Sequence, residues 1–409
     1  MLPFKKIAIV YDWIDKWGGV ERVLLSLHEL FPDADFFTSS YDPEKAVWAS
    51  NLKINTSFIQ KLPKFVRGNR PASLPFYPYA FESFDFTNYD LVISVTSAFA
   101  KSIITRPETL HICYLLTPTR FLWVNPFDYI RNSLVRSAVS PYVTKLREWD
   151  FVSAQRPDRM ISISQTVADR CKKYYQRNSE IIYPPFDIEY WRRIKSELRK
   201  KSFRAKWRNL SPAIFDFDSL AGYFLIVSRL EPYKRVDVAI ETFNSFVFGT
   251  SMQRPLQKRT ILKNTTLIVA GEGSESNRLK QMANKNVLFL NNLSDHELAY
   301  LYSNAEAIIM PQEEDFGYVS LEAQFFGCPV IAYKQGGAGE TVIEGKTGIF
   351  FAEQSRKSLQ SALNRFNMIK YELKRSCKEF GLKSIARYDK KIFEDNFLRI
   401  LNEKVKNKK

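Results

Sequence analysis

The run Lys6–Tyr11 is short, rich in β-branched residues and free of polar interruption, and Gly18-Gly19 follows it. After the glycines, apolar residues recur at Val20, Val23, Leu24, Leu27 and Leu30, which places them on one helical face. An unbroken apolar strand predicts burial on both faces, as in a parallel sheet. A strand, a glycine loop and a helix in that order is the repeating unit of such a sheet, and this constrains the fold more than any other feature of the chain.

The alternation continues. Strands are predicted at Asp35–Thr38, Leu91–Val95, His111–Leu116, Arg159–Ser164 and Glu180–Tyr183, with a helix over Gln165–Tyr175. A basic stretch, Arg192–Pro212, then breaks the pattern. A second series opens at Tyr223–Ser228 and runs through a helix at Val236–Phe248 and strands at Thr266–Ala270 and Val287–Leu290. It goes on with a helix at Asp295–Ser303, a strand at Ala307–Met310, a helix at Tyr318–Phe326 and a strand at Pro329–Tyr333. The chain is helical from Ser355 onward. A length of 409 residues exceeds one ordinary core. The expected architecture is therefore α/β, with two Rossmann-like doubly wound domains at 1–190 and 220–375. A helical tail, 376–409, is expected to pack back on the first domain, and 192–222 is the candidate linker.

Composition narrows the function. Hydrophobic content is 45% and charged content 25%, as in a globular chain rather than a disordered or fibrous one. The net charge of +16 favours anionic partners. Between Arg192 and Arg208 nine Lys or Arg stand against one acid, Glu197, and the chain ends in Lys404, Lys406, Lys408 and Lys409. These runs read either as solvated surfaces or as a contact with an anionic membrane. They are not interleaved with a stacking or groove-reading motif, which argues against nucleic acid. Cys113, Cys171, Cys328 and Cys377 are scattered without a CxxC pair, so neither a disulfide framework nor a zinc site is expected. No metal site is expected either from His28, His111 and His296, which lack ligand partners at i+4. No signal peptide is seen, and no stretch approaches the about 18 apolar residues of a membrane span. The expected location is cytoplasmic, with peripheral attachment at the inner face of the cell membrane as the most it would show.

Four segments could carry chemistry. Gly18-Gly19 lies between a first strand and a helix, where backbone approaches an anion or simply turns. Gly271-Glu272-Gly273 resembles half of a dinucleotide fingerprint but has Ser276 at the third glycine position, so a strand-end turn explains it better. Arg229 ends the first strand of the second series, and Lys234 and Arg235 are predicted to open the next helix. Cations there are unfavourable next to the helix dipole unless an anion sits between them. Glu314 follows the strand Ala307–Met310, and Glu322 lies about one turn into the next helix. Between them, the backbone of Phe316 and Gly317 offers N–H groups, and carboxylates so placed can accept from sugar hydroxyls. Dipole complementarity is the plain alternative for either Glu.

In this order the motifs resemble the retaining GT-B glycosyltransferases of family 4. They are Gly18-Gly19-Val20-Glu21, Ser228-Arg229-Leu230 with Pro232-Tyr233-Lys234-Arg235, Ala270-Gly271-Glu272-Gly273, and Glu314-x-Phe-Gly-x-x-x-x-Glu322-Ala323. Leu110-His111-Ile112-Cys113-Tyr114, Thr117-Pro118-x-Arg120 and Ile182-Tyr183-Pro184-Pro185 are similar to the GDP-mannose-dependent mannosyltransferases of O-antigen and polysaccharide assembly. The resemblance implies two domains facing a cleft and transfer of mannose or a related hexose to a glycan or lipid-linked glycan. It implies that Gly19, beside Gly18, faces the donor diphosphate. Arg229 and Lys234 would neutralise that diphosphate as it leaves. Glu322 would accept from the ribose, and Glu314 with the N–H groups of Phe316 and Gly317 would hold the sugar. No cofactor or metal is implied. Leu116 stands where this branch usually carries a histidine, and His111, an odd offset away, points to the opposite strand face. That departure implies an alternative, a sugar-nucleotide-binding subunit without turnover.

Overall fold

The computed structural model describes residues 4–124, 126, 133–198, 222–247 and 265–407. The chain divides into two compact units. One comprises Met1–Pro185 with Lys390–Lys409, the other Phe186–Asp389.

The first unit is built on a seven-stranded parallel sheet. Its strands are β1 (Ile7–Tyr11), β2 (Asp35–Thr38), β3 (Ile54–Thr56), β4 (Leu91–Thr96), β5 (Leu110–Leu115), β6 (Arg159–Ser162) and β7 (Glu180–Ile181), in the order β3-β2-β1-β4-β5-β6-β7. Ala8 of β1 is flanked by Asp35 on one side and Val92 on the other. The chain therefore winds outward to β3, then returns to lay β4 against the other edge of β1. This reversal creates a switch point between β1 and β4, the place where open parallel sheets offer a crevice at their strand ends. All six residues of both β4 and β5 are buried, as expected of strands covered on both faces. The helix α1 (Gly19–Leu30) turns Val23, Leu24 and Leu27 inward. The C-terminal helix Lys390–Asn407 belongs to this unit, with Phe393 and Phe397 packed on Tyr114 at 5.8 and 6.4 Å between ring centres.

A buried ion pair lies beneath the sheet's loops. Lys101 donates to Asp150 at 2.6 Å, with both side chains almost fully enclosed. Lys101 also donates to the Ala98 carbonyl and to Thr119 Oγ1, and Asp150 accepts from Thr119, Trp123 and Tyr175. With these partners the pair's desolvation is compensated by several charge-assisted bonds.

The second unit holds a six-stranded parallel sheet. Its strands are β8 (Tyr223–Val227), β9 (Thr266–Ala270), β10 (Val287–Leu290), β11 (Ala307–Met310), β12 (Val330–Tyr333) and β13 (Gly348–Phe351), in the order β10-β9-β8-β11-β12-β13. Here the switch point falls between β8 and β11. The helices α2 (Val236–Val247), α3 (Tyr318–Phe325) and α4 (Arg356–Ile385) accompany it. One core joins Phe224, Phe243, Ile309, Ile331, Leu363 and Phe366 across sheet and helices.

The boundaries differ from those expected at 190 and 376. The helix Ile188–Leu198 sits in the second unit, where the Trp191 ring meets Phe326 edge-on at 5.7 Å. Residues 376–385 continue α4 without a break, with Cys377 and Ile385 buried and Gly381 pressed against the Gln324 carbonyl. Only Lys390 onward returns to the first unit. β3 and β13, at two of the sheet edges, add to the strands that the sequence predicts. The predicted linker 192–222 lies outside the described residues from position 199 to 221.

Candidate functional site

The loops that leave β8 and β11 meet at the second unit's switch point. The first runs Ser228–Arg235 and ends in a single tight turn, Pro232–Lys234. Lys234 is buried, and its Nζ donates to Glu314 Oε1 at 2.5 Å. Gln312 Nε2 donates to the same oxygen at 2.6 Å. Burial alone would raise the Glu314 carboxyl. The Lys234 charge and the bonds from Lys234 and Gln312 outweigh that and the opposing Asp315 charge, and hold it below its ordinary value. Glu314 is therefore an acceptor, and Lys234 is a cation fixed beside it.

Arg229 lies on the same loop, exposed, with Nη2 donating to Tyr233 Oη at 2.9 Å. The Lys234 ammonium stands 5.2 Å from the centre of the Tyr233 ring, so both cations contact that tyrosine. Arg235 behaves differently from the expectation that it opens a helix beside Lys234. It caps the tight turn in a left-handed conformation (φ 51°), and α2 begins after it at Val236. Its guanidinium turns to Asp237 and the Gln354 carbonyl.

Gly317 (φ 92°) precedes the first residue of α3 and needs the left-handed freedom of glycine. The helix N-terminus therefore opens next to Glu314, and its first N–H groups lack intrahelical partners. The Phe316 ring is buried against Tyr318 and Tyr388, each at 5.3 Å, so only its backbone can serve a ligand. Glu322, one turn along, is buried and accepts from Tyr302 Oη at 2.8 Å.

Two residues went unread in the sequence. Gly336 and Gly337, after β12, lie against the Glu314 loop, and Gly337 N donates to the Glu314 carbonyl at 2.7 Å. A Cβ on Gly336 would come within 2.4 Å of that carbonyl oxygen, and one on Gly337 within 2.5 Å of Phe316 Cα. The signal was present, since a glycine pair in the loop after an apolar strand also marks Gly18-Gly19. Gly271 and Gly273 have a purely structural explanation of the same kind. Added Cβ atoms there would meet Ser228 O at 2.0 Å and Leu230 O at 2.3 Å, so these glycines let the β9 loop lie on the β8 loop.

In the first unit, Gly18 is extended and Gly19 is the first residue of α1, at the β1/β4 switch point. The neighbouring Asp12 carboxylate ties that loop to the one after β4 by accepting from Thr96 Oγ1 and from the backbone N–H of Ser97, Phe99 and Ala100. Leu116, partly exposed, donates its N–H to the Thr96 carbonyl at the end of β5. His111 lies five residues upstream in the sheet interior, bonded through Nε2 to Ser94 Oγ at 2.8 Å. Burial, with the Arg177 and Arg156 charges, lowers its pKa to about 3. It is a neutral core histidine.

Of the basic run, Lys195 donates to the Phe325 carbonyl and Arg192 pairs with Glu189. Arg199–Arg208 and Lys408-Lys409 lie outside the described residues, as do the side chains of Lys404 and Lys406. Among the described residues no three His, Cys, Asp or Glu gather as a metal site, and no helix is long and apolar enough to cross a membrane.

Residues 211–384 match the family Glycosyl transferases group 1. This segment carries β8 to β13, hence Arg229, Lys234, Glu314 and Glu322. Glycogen synthase of Mycobacterium tuberculosis is 35% identical over 145 residues, 34% of this chain and 32% of that protein. The chain thus aligns with about a third of that relative's length. The GDP-mannose-dependent alpha-(1-6)-phosphatidylinositol monomannoside mannosyltransferase of Mycolicibacterium smegmatis is 32% identical over 135 residues, 30% of this chain and 32% of that protein. Alpha-1,3/1,6-mannosyltransferase ALG2 of Mus musculus is 25% identical over 414 residues, 93% of this chain and 91% of that protein. Among solved structures, Anabaena Alr3699/HepE in complex with UDP superposes with a TM-score of 0.66 at 18% identity, covering 97% of this chain and 100% of that one. The fold is GT-B, two Rossmann-like parallel-sheet domains.

Proposed function

We propose that this protein is a retaining glycosyltransferase that moves a hexose, mannose from GDP-mannose, to a glycan or lipid-linked glycan acceptor. The observation that carries the reading is the Lys234–Glu314 pair at the second unit's switch point, 2.5 Å apart and joined by Gln312. Such a pair presents a cation and an acceptor side by side, as a sugar diphosphate requires.

In this reading Lys234 and Arg229 face the diphosphate. The bond from the sugar's anomeric carbon to phosphate breaks, and the bond to the acceptor oxygen forms on the same face. The acceptor's proton passes to the departing phosphate. Negative charge grows on the diphosphate as this happens, and cations held beside it stabilise it most at that moment. They do the electrostatic work of a divalent metal, so none is invoked. Glu314 accepts from hydroxyls of the transferred sugar, with Phe316 and Gly317 N–H groups beside it, and Glu322 accepts from the ribose. The mannosyltransferase relatives support the choice of sugar.

A second reading, a sugar-nucleotide-binding subunit without turnover, is favoured by Leu116, whose side chain offers no hydrogen bond at the end of β5, while His111 is held in the core. The test is a panel of GDP-mannose and UDP-sugars, followed by thermal stability and by transfer, in wild type and Leu116→His. Stabilisation by GDP-mannose with transfer by the wild type supports the enzyme. Binding with transfer only in Leu116→His supports the second reading, and no stabilisation by any nucleotide sugar removes both.

A further inference from the structure

The loop that leaves β1 carries two tryptophans, Trp13 and Trp17, and ends in Gly18-Gly19. Trp13 is partly buried, with its ring 5.9 Å from the Tyr77 ring and the Arg70 guanidinium over it at 4.0 Å. Trp17 is 48% exposed. The Trp48 ring, in the short turn Val47–Ala49 beyond β2, meets it edge-on at 6.2 Å, and the neighbouring Val47 is exposed as well. Tryptophan is highly buried on average, and an exposed indole backed by a second one differs from a single stray apolar side chain. Gly18 and Gly19 have no side chains with which to cover it.

This loop is held from several sides. The Asp12 carboxylate ties it to the loop after β4, as described above. The Ile14 N–H donates to the Ser40 carbonyl at 3.0 Å, and the Ile14 carbonyl accepts from the Asp42 N–H at 2.9 Å. Trp48 Nε1 donates to the Lys16 carbonyl at 2.8 Å, one residue before Trp17. Trp17 is thus presented on fixed backbone at a strand end beside the β1/β4 switch point, where a parallel sheet offers its crevice. Little conformational freedom is lost when a ligand covers it.

The polar groups on the loop decide which ligand. Two residues before Trp17, Asp15 Oδ2 accepts from Arg70 Nη2 at 2.8 Å, while Asp15 Oδ1 is enclosed and has no hydrogen-bond partner. Both side chains are partly exposed. As a pair they are neutral, so they favour a hydroxyl-bearing ligand over an anionic one. A pyranose has C–H bonds on one face, which pack on an aromatic ring, and hydroxyls around its rim that both donate and accept. An indole beside a carboxylate acceptor and a guanidinium donor matches both features.

We propose that Trp17, backed by Trp48 and flanked by Asp15 and Arg70, is a stacking subsite for a sugar ring, through which the first unit holds a saccharide acceptor. The word acceptor rests on the reading of the protein as a hexose transferase; the subsite itself does not. The test uses the full chain and saturation-transfer NMR from aromatic protons to mannotriose, N,N′-diacetylchitobiose, lactose and octyl mannoside. Saturation of ring C–H protons is expected for at least one saccharide. Trp17→Ala is expected to weaken its binding about tenfold or more, and Trp17→Phe, which keeps an aromatic face, by about threefold. Both variants should unfold at the wild-type temperature, because the indole is half exposed. GDP-mannose affinity should be unchanged in both, because Lys234 and Glu314 belong to the other unit. No saturation of any saccharide, or equal binding by wild type and Trp17→Ala, overturns the proposal. So does saturation confined to the alkyl chain of octyl mannoside. Absence of GDP-mannose binding, with saccharide binding that still depends on Trp17, removes the transferase reading and upholds the subsite.

Discussion

Replacing Glu314 by Gln preserves the side chain's shape and removes the charge that Lys234 faces. The two side chains are 10% and 18% exposed, so solvent screening reduces their attraction only in part. A hydrogen bond to a charged group contributes about 1.5–3 kcal/mol, and the Gln carbonyl can still accept from Lys234. The expected loss is therefore about 1–2 kcal/mol, or roughly 2–8 °C in the Tm of a unit this size. The effect on ligands should run the other way. Lys234, no longer neutralised, should bind a nucleoside diphosphate about tenfold more tightly, the equivalent of about 1.4 kcal/mol. Sugar transfer should fall about 100-fold or more, because the acceptor that holds the transferred sugar is weakened. Scanning calorimetry, GDP titration and a transfer assay on one preparation read all three. The pH dependence has a fixed sign. The Glu314 pKa is depressed, so the pair's contribution is present above the ordinary carboxyl range and lost as pH falls through the lowered value. An unchanged Tm together with weaker GDP binding would refute this account of the pair.

Other outcomes follow from the same structure. Gly337→Ala should reduce transfer and stability together, since its Cβ would lie 2.5 Å from Phe316 Cα and push the Glu314 loop away; activity and Tm equal to wild type would contradict this. Lys101→Met leaves Asp150 charged and enclosed, and should cost about 3–5 kcal/mol in denaturant unfolding. His111 has a folded-state pKa of about 3, so it stays neutral while the unfolded chain takes up a proton. Its stability contribution is complete above about pH 6.5 and lost by about 1.4 kcal/mol per pH unit below that, down to about pH 3. His111→Asn should flatten that part of the stability–pH curve.

The sheets were legible because their strands are apolar on both faces and end in glycine, proline or a charged loop. β2, β9, β10 and β11 fall at the positions the sequence predicted. Lys234 and Glu314 were legible for a related reason: each follows a strand beside a switch point, where parallel sheets present ligand-binding loops. Their direct pairing was not, because they are 80 residues apart and nothing local encodes the contact. Lys101 and Asp150 escaped notice for the same reason, at 49 residues. Arg235 was misplaced because a left-handed residue between a tight turn and a helix leaves no mark in hydrophobic periodicity. The domain boundary was displaced because α4 runs past 376 with its apolar register intact and packs throughout on the second unit.

The central claim is that Lys234 and Glu314 receive the two halves of a sugar nucleotide. Calorimetric titration of GDP-mannose into wild type and Lys234→Ala tests it most directly. The account predicts saturable 1:1 binding to the wild type, and a Kd at least about tenfold weaker once the ammonium is removed. Equal affinity in the two proteins would contradict it.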